Sequence, residues 1–345
     1  MSRRILILRR ENIGDLVCTT PLIAALRKRF PDAFLAVLAN SYNAPILAGH
    51  ADLNAVYSYT KGKHAGSPLA AGRAHLQRIG LLLRLRNAGF DDIVLADPTY
   101  VVRNVRLARW LRGGRAGSRI LGFAAADGHG KGLDLSFPAN PLAGECIVEV
   151  IFRLAAAWDI GGKPPPLQIH GRSGLAVGNK LDAPLGLHIS ARRPSQRWPA
   201  ERFAELARVL HERHGARILL FWSPGAGDDA KHPGDDRKAE QVMALAAGVP
   251  IQAVPTDTLE KLVDGIEACR LFICADGGAM HIAAGLGKPI VCLFGDSDAD
   301  LWRPWGVPFR LLQPASHNVD DITVGKVADA YASLLDDSSV RFANR

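Results

Sequence analysis

The sequence lacks the cysteine pairs that build many metal and redox sites. Its five cysteines are widely spaced and form no C-x-x-C pair. Most lie in apolar, strand-like stretches, where a free cysteine behaves as a small hydrophobic residue. This usage favours a reducing compartment. The histidines show no regular ligand spacing either, so the sequence predicts no metal site.

Long apolar runs are also missing. The N-terminal apolar run, Ile5–Leu8, is too short for the hydrophobic region of a secretory signal. No uninterrupted apolar segment reaches the roughly 18 residues of a transmembrane helix. We therefore expect a cytoplasmic protein, and any contact with a membrane is expected to be peripheral.

Two nucleotide-binding motifs are absent. The chain contains no G-x-x-x-x-G-K-[ST], and no G-x-G-x-x-G follows its first predicted strand. Both absences argue against P-loop NTPases and against standard dinucleotide-dependent dehydrogenases.

Acidic residues are scarce in the first third of the chain. The net charge is +12 over residues 1–120 and −4 over the remainder. Such a basic region indicates a polyanionic partner: nucleic acid, an anionic membrane surface or a phosphorylated or carboxylated substrate. The alternative is that the arginines simply lie on the solvated faces of helices. Nucleic acid is disfavoured, because the basic region lacks the interleaved aromatic residues on which bases stack.

What the sequence does contain is a regular alternation of short apolar runs with longer amphipathic stretches. At 345 residues the chain exceeds the size of a single hydrophobic core, which predicts two domains. The alternation is typical of parallel sheets covered by helices. The predicted strands are Ile5–Leu8, Phe34–Leu38, Ala55–Tyr59, Ile93–Ala96, Leu185–Ile189, Arg217–Trp222, Ile251–Val254, Leu271–Cys274 and Ile290–Leu293. The predicted helices are Pro21–Arg29, His75–Asn87, Ala200–His214, Arg237–Ala247, Leu259–Ala268 and Met280–Leu286.

A stiff joint separates the two series of elements. The segment GGKPPP at residues 161–166 suits an interdomain linker. We predict an N-terminal Rossmann-like domain at 1–163, a proline-rich linker region at 164–184, a C-terminal Rossmann-like domain at 185–335 and a tail at 336–345.

The first candidate site lies in RRENIGDLVCTTPLIAAL, residues 9–26. Gly14 permits a tight turn, and Thr19 or Thr20 followed by Pro21 is typical of a helix N-cap. Asp15 would then lie on a turn at the carboxyl end of the first strand, where open parallel sheets bind ligands. Two interpretations stay open from the local sequence: a carboxylate of the turn or helix cap, and a general base.

The second candidate site lies in LFICADGGAMHIAAGLGKPIVCLFG, residues 271–295. A buried strand leads through Asp276, Gly277 and Gly278 into a helix that carries His281. The glycines let a ligand approach the backbone, and the helix start offers free N–H groups and the positive end of its dipole to a diphosphate. The alternative is an ordinary strand–turn–helix connection with an aspartate cap and a surface histidine.

The third candidate site lies in LGLHISARRPSQRWPAERFAEL, residues 185–206. Ser190, Arg192, Arg193 and Arg197 follow a predicted strand, and Trp198-Pro199 opens a helix. Hydroxyl and guanidinium donors at the carboxyl end of a strand suit phosphate oxygens. A solvated basic loop fits the local sequence equally well.

Together these segments resemble glycosyltransferase family 9, the group that includes the ADP-heptose:lipopolysaccharide heptosyltransferases. The likeness covers nearly the full length and is most specific in IGDLVCTTPLIAALRKRFPDA (13–33), RWP (197–199) and DGGAMHIAAGLGKPIVCLFGDSD (276–298). It implies a GT-B architecture, in which two Rossmann-like domains face each other across a cleft. The N-terminal domain would bind the acceptor and the C-terminal domain the nucleotide-sugar. The family resemblance further implies metal-independent transfer, without a cofactor and with inversion at the anomeric carbon.

The resemblance also implies a role for each candidate residue. Asp15 would be the catalytic base that deprotonates the acceptor hydroxyl in an oxocarbenium-like transition state. Donors at the helix start would stabilise the leaving diphosphate. The expected donor-binding residues are Ser190, Arg193, Gln196, Arg197, Asp276, Gly277, Gly278 and His281. Asp228 or Asp229, after the strand that ends at Trp222, is a candidate for a ribose hydroxyl.

The implied substrates are an ADP-linked sugar, expected to be heptose, and a hydroxyl of an anionic glycolipid such as the lipopolysaccharide inner core. The basic first third would suit the anionic inner face of the inner membrane. Three positions depart from the family pattern. Gln196 stands where lysine is usual, Gly277 replaces a common serine or threonine, and CIVEV (146–150) replaces H-x-V-E-R. Arg197 or Arg193 would then have to supply the charge to the phosphates, and acceptor specificity stays open.

Other functions remain compatible with the sequence. The chain could be a family member with a different donor or acceptor sugar. A nucleotide-sugar epimerase or hydrolase on the same fold would need further acid/base residues, and the sequence shows no second carboxylate as well placed as Asp15. A non-catalytic sugar-nucleotide binder is suggested by Gln196 and Gly277.

Overall fold

The apolar runs predicted as strands form two parallel sheets in the computed structural model. It describes residues 2–59, 68–170, 179–180, 182–227, 234–337 and 342–343. The chain divides into two compact units, Met1–Pro165 and Pro166–Arg345, and the division falls within GGKPPP. Each unit contains one six-stranded sheet, and every paired strand in it is parallel to its neighbour.

The sheet of the first unit has the order β3-β2-β1-β4-β5-β6. The chain starts at the centre, moves out to β3 and returns to the other side of β1. The point at which the strand order reverses therefore lies between β1 and β4. The strands are β1 (Arg4–Leu8), β2 (Phe34–Asn40), β3 (Ala55–Tyr59), β4 (Asp92–Leu95), β5 (Arg119–Phe123) and β6 (Leu135–Phe137). The helices are α1 (Ile13–Val17), α2 (Thr20–Arg29), α3 (Pro68–Asn87), α4 (Val102–Arg112) and α5 (Ile147–Phe152), with 3₁₀ turns at Ala44–Leu47 and Arg153–Trp158.

Helices cover both faces of this sheet, so its strands are apolar on both sides. Leu6 and Leu8 of β1 pack in one cluster with Leu81 and Leu85 of α3 and with residues of α4. The alternate β1 residues are equally buried, and α2 contacts α5 and the second 3₁₀ turn. Strand residues alternate between faces, which places α3 and α4 on one face and α2 with α5 on the other.

The sheet of the second unit repeats this plan with the order β10-β9-β8-β11-β12-β13. Its reversal point lies between β8 and β11. The strands are β7 (Asn179–Lys180), β8 (Leu185–His188), β9 (Ile218–Trp222), β10 (Ile251–Pro255), β11 (Leu271–Ala275), β12 (Ile290–Leu293), β13 (Phe309–Leu312) and β14 (Phe342–Ala343), of which β7 and β14 form a separate pair. The helices are α6 (Ala200–His214), α7 (Asp236–Leu245), α8 (Leu259–Glu267), α9 (Gly278–Gly285), α10 (Ala299–Trp302) and α11 (Val324–Leu335), with 3₁₀ turns at Pro194–Gln196 and Val319–Asp321.

A buried tryptophan anchors the loop between β8 and α6. The Trp198 ring packs edge-on against Phe203 with 5.0 Å between ring centroids. Its Nε1 donates a hydrogen bond to the carbonyl oxygen of Ile322, 3.0 Å away. A buried tryptophan with a satisfied N–H is a strong packing contact, so this residue fixes the end of the basic loop that precedes α6.

The predicted class, an α/β protein with two Rossmann-like sheets, is confirmed. All nine predicted strands coincide with observed strands to within two residues. α3 begins seven residues earlier than predicted. The elements that were not predicted are α1, α4, α5, α10, α11, β5, β6, β7, β13 and β14. Within the described ranges, no helix is both long and apolar enough to cross a membrane.

Candidate functional site

The candidate residues gather at the reversal point of each sheet. In open parallel sheets, ligands bind outside the carboxyl ends of the strands at such points. In the first unit this position is occupied by residues that follow β1 and β4. In the second unit it is occupied by residues that follow β8 and β11.

Asp15 lies in a helix rather than on the predicted turn. It is the third residue of α1, and its Oδ2 accepts hydrogen bonds from the Asn12 backbone N (3.0 Å) and Nδ2 (2.9 Å). This capping contact satisfies a free N–H at the helix start, so the chain becomes helical at Ile13. Thr19 occupies the predicted N-cap position of α2, followed by Pro21, but its hydroxyl donates to the carbonyl oxygen of Asp15 and makes no side-chain cap bond.

Arg9 is the cation that holds Asp15. It is the first residue after β1, and its side chain is only 2% exposed. Its Nη2 lies 3.1 Å from Asp15 Oδ1, its Nε donates to the Asp15 carbonyl oxygen, and its Nη1 donates to the carbonyl oxygen of Ala96. A buried guanidinium is stable only with such partners. It therefore ties α1 to the carboxyl ends of β1 and β4.

Two further carboxylates surround the same guanidinium. Asp97 follows β4, and its Oδ1 lies 3.8 Å from Arg9 Nη1; Glu11 Oε2 lies 3.9 Å from Arg9 Nε. Thr99 donates a 2.7 Å hydrogen bond to Asp97. The expectation that no second carboxylate is comparably placed is therefore wrong. The signal was available, because Asp97 follows a predicted buried strand just as Asp15 does.

The contacts of Asp15 leave it one acceptor direction. An ionised carboxylate has about four lone-pair sites. Arg9 takes one on Oδ1, and Asn12 takes two on Oδ2. The side chain is 12% exposed, so its remaining site can reach solvent or a bound hydroxyl. This arrangement can accept a proton with its orientation already set.

In the second unit, Asp276 is the centre of a hydrogen-bonded triangle. It follows β11, and its Oδ2 accepts from Gln196 Nε2 (3.0 Å) and from Ser297 Oγ (2.6 Å). Gln196 Nε2 also donates to Ser297 Oγ at 2.6 Å. The buried Gln196 amide nitrogen therefore donates its hydrogen bonds to Asp276 and to Ser297, and it fixes the orientation of the aspartate. Ser297, which completes the triangle from the loop after β12, was not among the predicted residues.

Gly277 has a backbone conformation that side chains strongly disfavour. Its φ of 154° and ψ of −171° lie in a region occupied almost only by glycine. An added Cβ would meet no atom within 4 Å, so the requirement is conformational rather than steric. The residue precedes Gly278, the first residue of α9, and no side chain caps this helix start. The site is therefore open to an anion at the helix N-terminus.

His281 is buried, contrary to the surface histidine of the alternative interpretation. It lies in the first turn of α9, and its ring packs edge-on toward Trp302 with 6.2 Å between centroids.

The basic loop before α6 packs tightly on the loop after β12. Arg193 Nη1 lies 3.4 Å from Asp296 Oδ1 and 3.4 Å from Ser297 Oγ. Ser195 Oγ donates a 2.7 Å bond to Asp296, and this bond, followed by Arg193, lowers the pKa of that carboxyl. A Cβ on Gly295 would come within 2.3 Å of the Ser195 carbonyl oxygen, so the loops can approach this closely only with glycine there.

Two predicted donor-binding residues lie in a different group. Arg197 pairs with the buried Asp235 at the start of α7, and Ser190 Oγ accepts a bond from the Ser223 N at 2.9 Å. Burial lowers the pKa of the adjacent Lys238 to about 8 and that of His188 to about 4. The structure therefore brings together Arg193, Gln196, Asp276, Gly277, Gly278 and His281 but places Ser190 and Arg197 beside α7.

The two ribose candidates, Asp228 and Asp229, lie outside the described residues. A nearby carboxylate that the sequence analysis missed is Asp236, the first residue of α7. It accepts hydrogen bonds from Trp222 Nε1 (2.7 Å) and the Gly225 N (2.9 Å), which together lower its pKa. Within the described part of the chain, no group of three or more His, Cys, Asp or Glu residues could hold a metal ion.

Comparison with known proteins identifies the family. The sequence profile of glycosyltransferase family 9 (heptosyltransferase) matches residues 135–321, more than half of the chain. The protein belongs to glycosyltransferase family 9. It is therefore a glycosyltransferase, as predicted. The matched residues of this family 9 enzyme include the Asp276 triangle, whereas Asp15 lies outside them.

Relatives of the family 9 enzyme match over most of its length. Lipopolysaccharide heptosyltransferase 3 of Escherichia coli is 29% identical over 307 residues, which cover 85% of this chain and 83% of the relative. Lipopolysaccharide heptosyltransferase 2 of Salmonella typhimurium is 25% identical over 386 residues, covering 98% of this chain and 100% of the relative.

Solved structures support the same fold. The E. coli heptosyltransferase WaaC with ADP has a TM-score of 0.77 at 18% identity, covering 96% of this chain and 99% of that chain. The E. coli ADP-heptose lipopolysaccharide heptosyltransferase II has a TM-score of 0.72 at 21% identity, covering 96% and 98%. The predicted GT-B fold with two Rossmann-like domains is confirmed.

Proposed function

We propose that this family 9 enzyme transfers heptose from an ADP-heptose donor to a hydroxyl of a phosphorylated glycolipid of the lipopolysaccharide inner-core type. The observation that carries the proposal is the carboxylate of Asp15, oriented by Arg9 and Asn12 with one acceptor site left, at the reversal point of the first sheet. The names of the relatives, all lipopolysaccharide or lipooligosaccharide heptosyltransferases, support the choice of sugar and acceptor.

The donor binds to the second unit in this proposal. Its diphosphate lies at the start of α9, where Gly277 carries no side chain and the first N–H groups have no side-chain cap. Arg193 supplies the positive charge, because it is half exposed and pairs only with the exposed Asp296, whereas Arg197 pairs with the buried Asp235. The triangle of Asp276, Gln196 and Ser297 holds this loop in place. Two solved relatives that contain ADP or an ADP-sugar analogue support ADP as the nucleotide.

The chemistry is a single displacement with inversion. The acceptor hydroxyl gives its proton to Asp15 as its oxygen bonds to the anomeric carbon. The bond from that carbon to the diphosphate oxygen breaks on the opposite face, and its electron pair leaves with ADP. A positioned general base contributes about 10²- to 10⁴-fold to such a step. The N–H groups of α9 and Arg193 stabilise the charge that develops on the diphosphate.

The acceptor is bound by the basic first unit in this proposal. An inner-core glycolipid carries phosphate and carboxylate groups, which suit a region of net charge +12. Because this acceptor is a lipid, the enzyme in this proposal works as a peripheral protein at the cytoplasmic face of the inner membrane.

The test combines nucleotide binding with transfer. Calorimetry with ADP, UDP, GDP and CMP is expected to show preference for ADP, weakened by Asp276→Ala. Asp15→Asn is expected to keep ADP affinity and to lose transfer by about 10²-fold or more, since the amide cannot accept the proton. Asp32→Asn, an exposed carboxylate after α2, is the matched control and is expected to behave as wild type.

Three results would contradict the proposal. If Asp15→Asn transfers sugar as fast as wild type, Asp15 is not the catalytic base. Preference for another nucleotide would change the donor. Release of free sugar from the donor without an acceptor would favour a hydrolase, for which Asp97 is the additional carboxylate.

A further inference from the structure

One helix of the first unit exposes apolar residues that the fold does not use. Leu76, Ile79 and Leu83 of α3 are spaced i, i+3 and i+7 and lie along one face. All three are exposed, and Leu76 is 70% exposed. The opposite face of the helix packs Leu81 and Leu85 into the core. Three large aliphatic side chains in one exposed stripe form a patch of the kind that marks an interaction site.

Arginines border this apolar stripe on both sides. At 100° per residue, Arg73 and Arg84 lie on one flank and Arg86 on the other. The described helix contains four arginines and no aspartate or glutamate. A cationic border along an apolar stripe is the pattern of a helix that lies in a membrane interface.

The neighbouring helix α4 extends the same surface. It packs beside α3 and also contains four arginines and no acidic residue. Its Trp110 is 41% exposed, and the Arg86 guanidinium lies 4.9 Å from the centroid of the indole ring. Arg86 lies one turn beyond Leu83, so the tryptophan continues the apolar stripe. Tryptophan is enriched at the level of lipid headgroups because its ring is apolar at one end and polar at the other.

Most of these cations are available to a partner. Arg73, Arg84, Arg103, Arg106 and Arg109 are exposed, and none forms an ion pair with a described carboxylate. Among the described carboxylates, Asp134 pairs with an arginine of α4, Arg112, at the edge of the surface. The surface thus combines unneutralised positive charge with exposed apolar side chains.

We propose that this surface, the α3–α4 face formed by Leu76, Ile79, Leu83, Trp110 and the surrounding arginines, docks on an anionic lipid bilayer. The arginines contact phosphate headgroups, and the leucines and the tryptophan enter the boundary between headgroups and acyl chains. The inference rests on the proposed function, since it names the surface through which a glycolipid-modifying enzyme meets its membrane.

Charge and composition favour a bilayer over other occupants. A second copy of this chain would bring two faces of the same strong positive charge together, which is unfavourable. A nucleic acid would use the arginines but would leave the aliphatic stripe in water. A bilayer of anionic lipids satisfies both sets of side chains at once.

The experiment measures binding of the full chain to vesicles by co-sedimentation. One set of vesicles contains phosphatidylglycerol and phosphatidylethanolamine, and the other contains phosphatidylcholine alone. We expect binding to the anionic vesicles only, decreasing with salt because charge attraction is screened. Each arginine near an anionic surface contributes about a fivefold increase in binding.

Two double variants separate the apolar and the charged contributions. Leu76→Gln with Leu83→Gln and Arg106→Glu with Arg109→Glu each change exposed residues, so the fold is expected to persist. Each is expected to weaken vesicle binding by about tenfold or more. The matched controls lie in the second unit: Leu245→Gln for exposed apolar surface, and Arg208→Glu with Arg213→Glu for charge. They are expected to bind vesicles as wild type does.

Transfer assays distinguish failure of this inference from failure of the proposed function. The α3–α4 variants are expected to retain ADP binding and transfer to a detergent-free, delipidated acceptor, and to lose transfer to acceptor embedded in vesicles. If wild type binds vesicles through this face but does not bind ADP, the proposed function fails alone. If the variants bind vesicles like wild type, or if they alter only self-association or binding to duplex DNA, the membrane assignment is overturned.

Discussion

Removal of Arg9 is expected to impair transfer far more than it impairs folding. This buried guanidinium bonds Asp15 through both its carboxylate and its carbonyl oxygen and bonds the Ala96 carbonyl oxygen after β4. Without it, three carboxylates face one another with no cation. Breaking a fully buried ion pair costs about 3–5 kcal/mol. The carboxylates here are partly exposed and can rehydrate, so we expect Arg9→Ala to lower the free energy of unfolding by about 2 kcal/mol.

The effect on catalysis follows from orientation. Asp15 would keep only its contacts with Asn12, and repulsion from Asp97 and Glu11 would turn the carboxylate toward solvent. A misplaced base loses much of its contribution, so we expect kcat to fall by about 10²-fold. The KM for the donor and the calorimetric affinity for ADP are expected to be unchanged, because the proposed donor site belongs to the other unit. Arg9→Lys keeps the charge but not the planar set of donors and is expected to be intermediate.

The control is a cation at the opposite end of the same strand. Arg3 Nε bonds the buried Asp92 at 2.6 Å at the amino end of the sheet. Arg119 also bonds Asp92, at 2.8 Å, so Arg3→Ala is expected to destabilise the fold by less than Arg9→Ala does and to leave kcat unchanged. Denaturant unfolding and steady-state transfer on all three variants provide the test. If Arg9→Ala and Arg3→Ala reduce kcat equally, Arg9 has only a structural role and the positioning argument is refuted.

Three further predictions test other parts of the structure. Gly277→Ser is expected to lower the free energy of unfolding by about 1–3 kcal/mol, although it restores the hydroxyl common in the family, because its φ of 154° is strained for any side chain. Gly295→Ala is expected to cost about 1–3 kcal/mol and to weaken ADP binding, because its Cβ would collide with the Ser195 backbone; calorimetry and denaturant unfolding measure both. Burial lowers the pKa of His188 to about 4, so its unfolded form binds more protons between about pH 4 and its ordinary value of 6.5. Stability should therefore rise with pH through this window, and His188→Gln should flatten the rise by up to about 1.4 kcal/mol per pH unit in unfolding measured across pH.

The strands were predictable because parallel sheets bury both faces. Runs such as Ile5–Leu8 and Ile290–Leu293 are continuously apolar and stand out from polar flanks. The elements that escaped prediction have weaker signals. α4 is so rich in arginine that its buried positions, Asn104, Val105, Ala108 and Leu111, do not form an evident apolar stripe. β6 and β13 are short edge strands with incomplete burial.

The candidate site was predictable where its residues are adjacent in sequence and unpredictable where tertiary contacts decide. Asp276, Gly277 and the start of α9 follow one strand and were recognised together. Ser297 bonds Asp276 although the two are 21 residues apart in the sequence. Arg197 was grouped with the basic loop before α6, but it pairs with Asp235 beside α7 instead. Which of the neighbouring arginines faces the candidate site depends on the path of the loop. The Pro194–Gln196 3₁₀ turn and the buried Trp198 determine that path.

The two departures from the family pattern in the donor region need not signal a non-catalytic binder. Gln196 uses both of its amide hydrogens to join Asp276 and Ser297, a neutral contact that leaves the exposed positive charge of the loop to Arg192 and Arg193. A lysine at this position would place a further positive charge beside Arg193. Gly277 likewise matches the backbone it occupies, because that conformation disfavours the serine or threonine common elsewhere. Each replacement fits its local surroundings, which favours a rearranged donor site over a degenerate one.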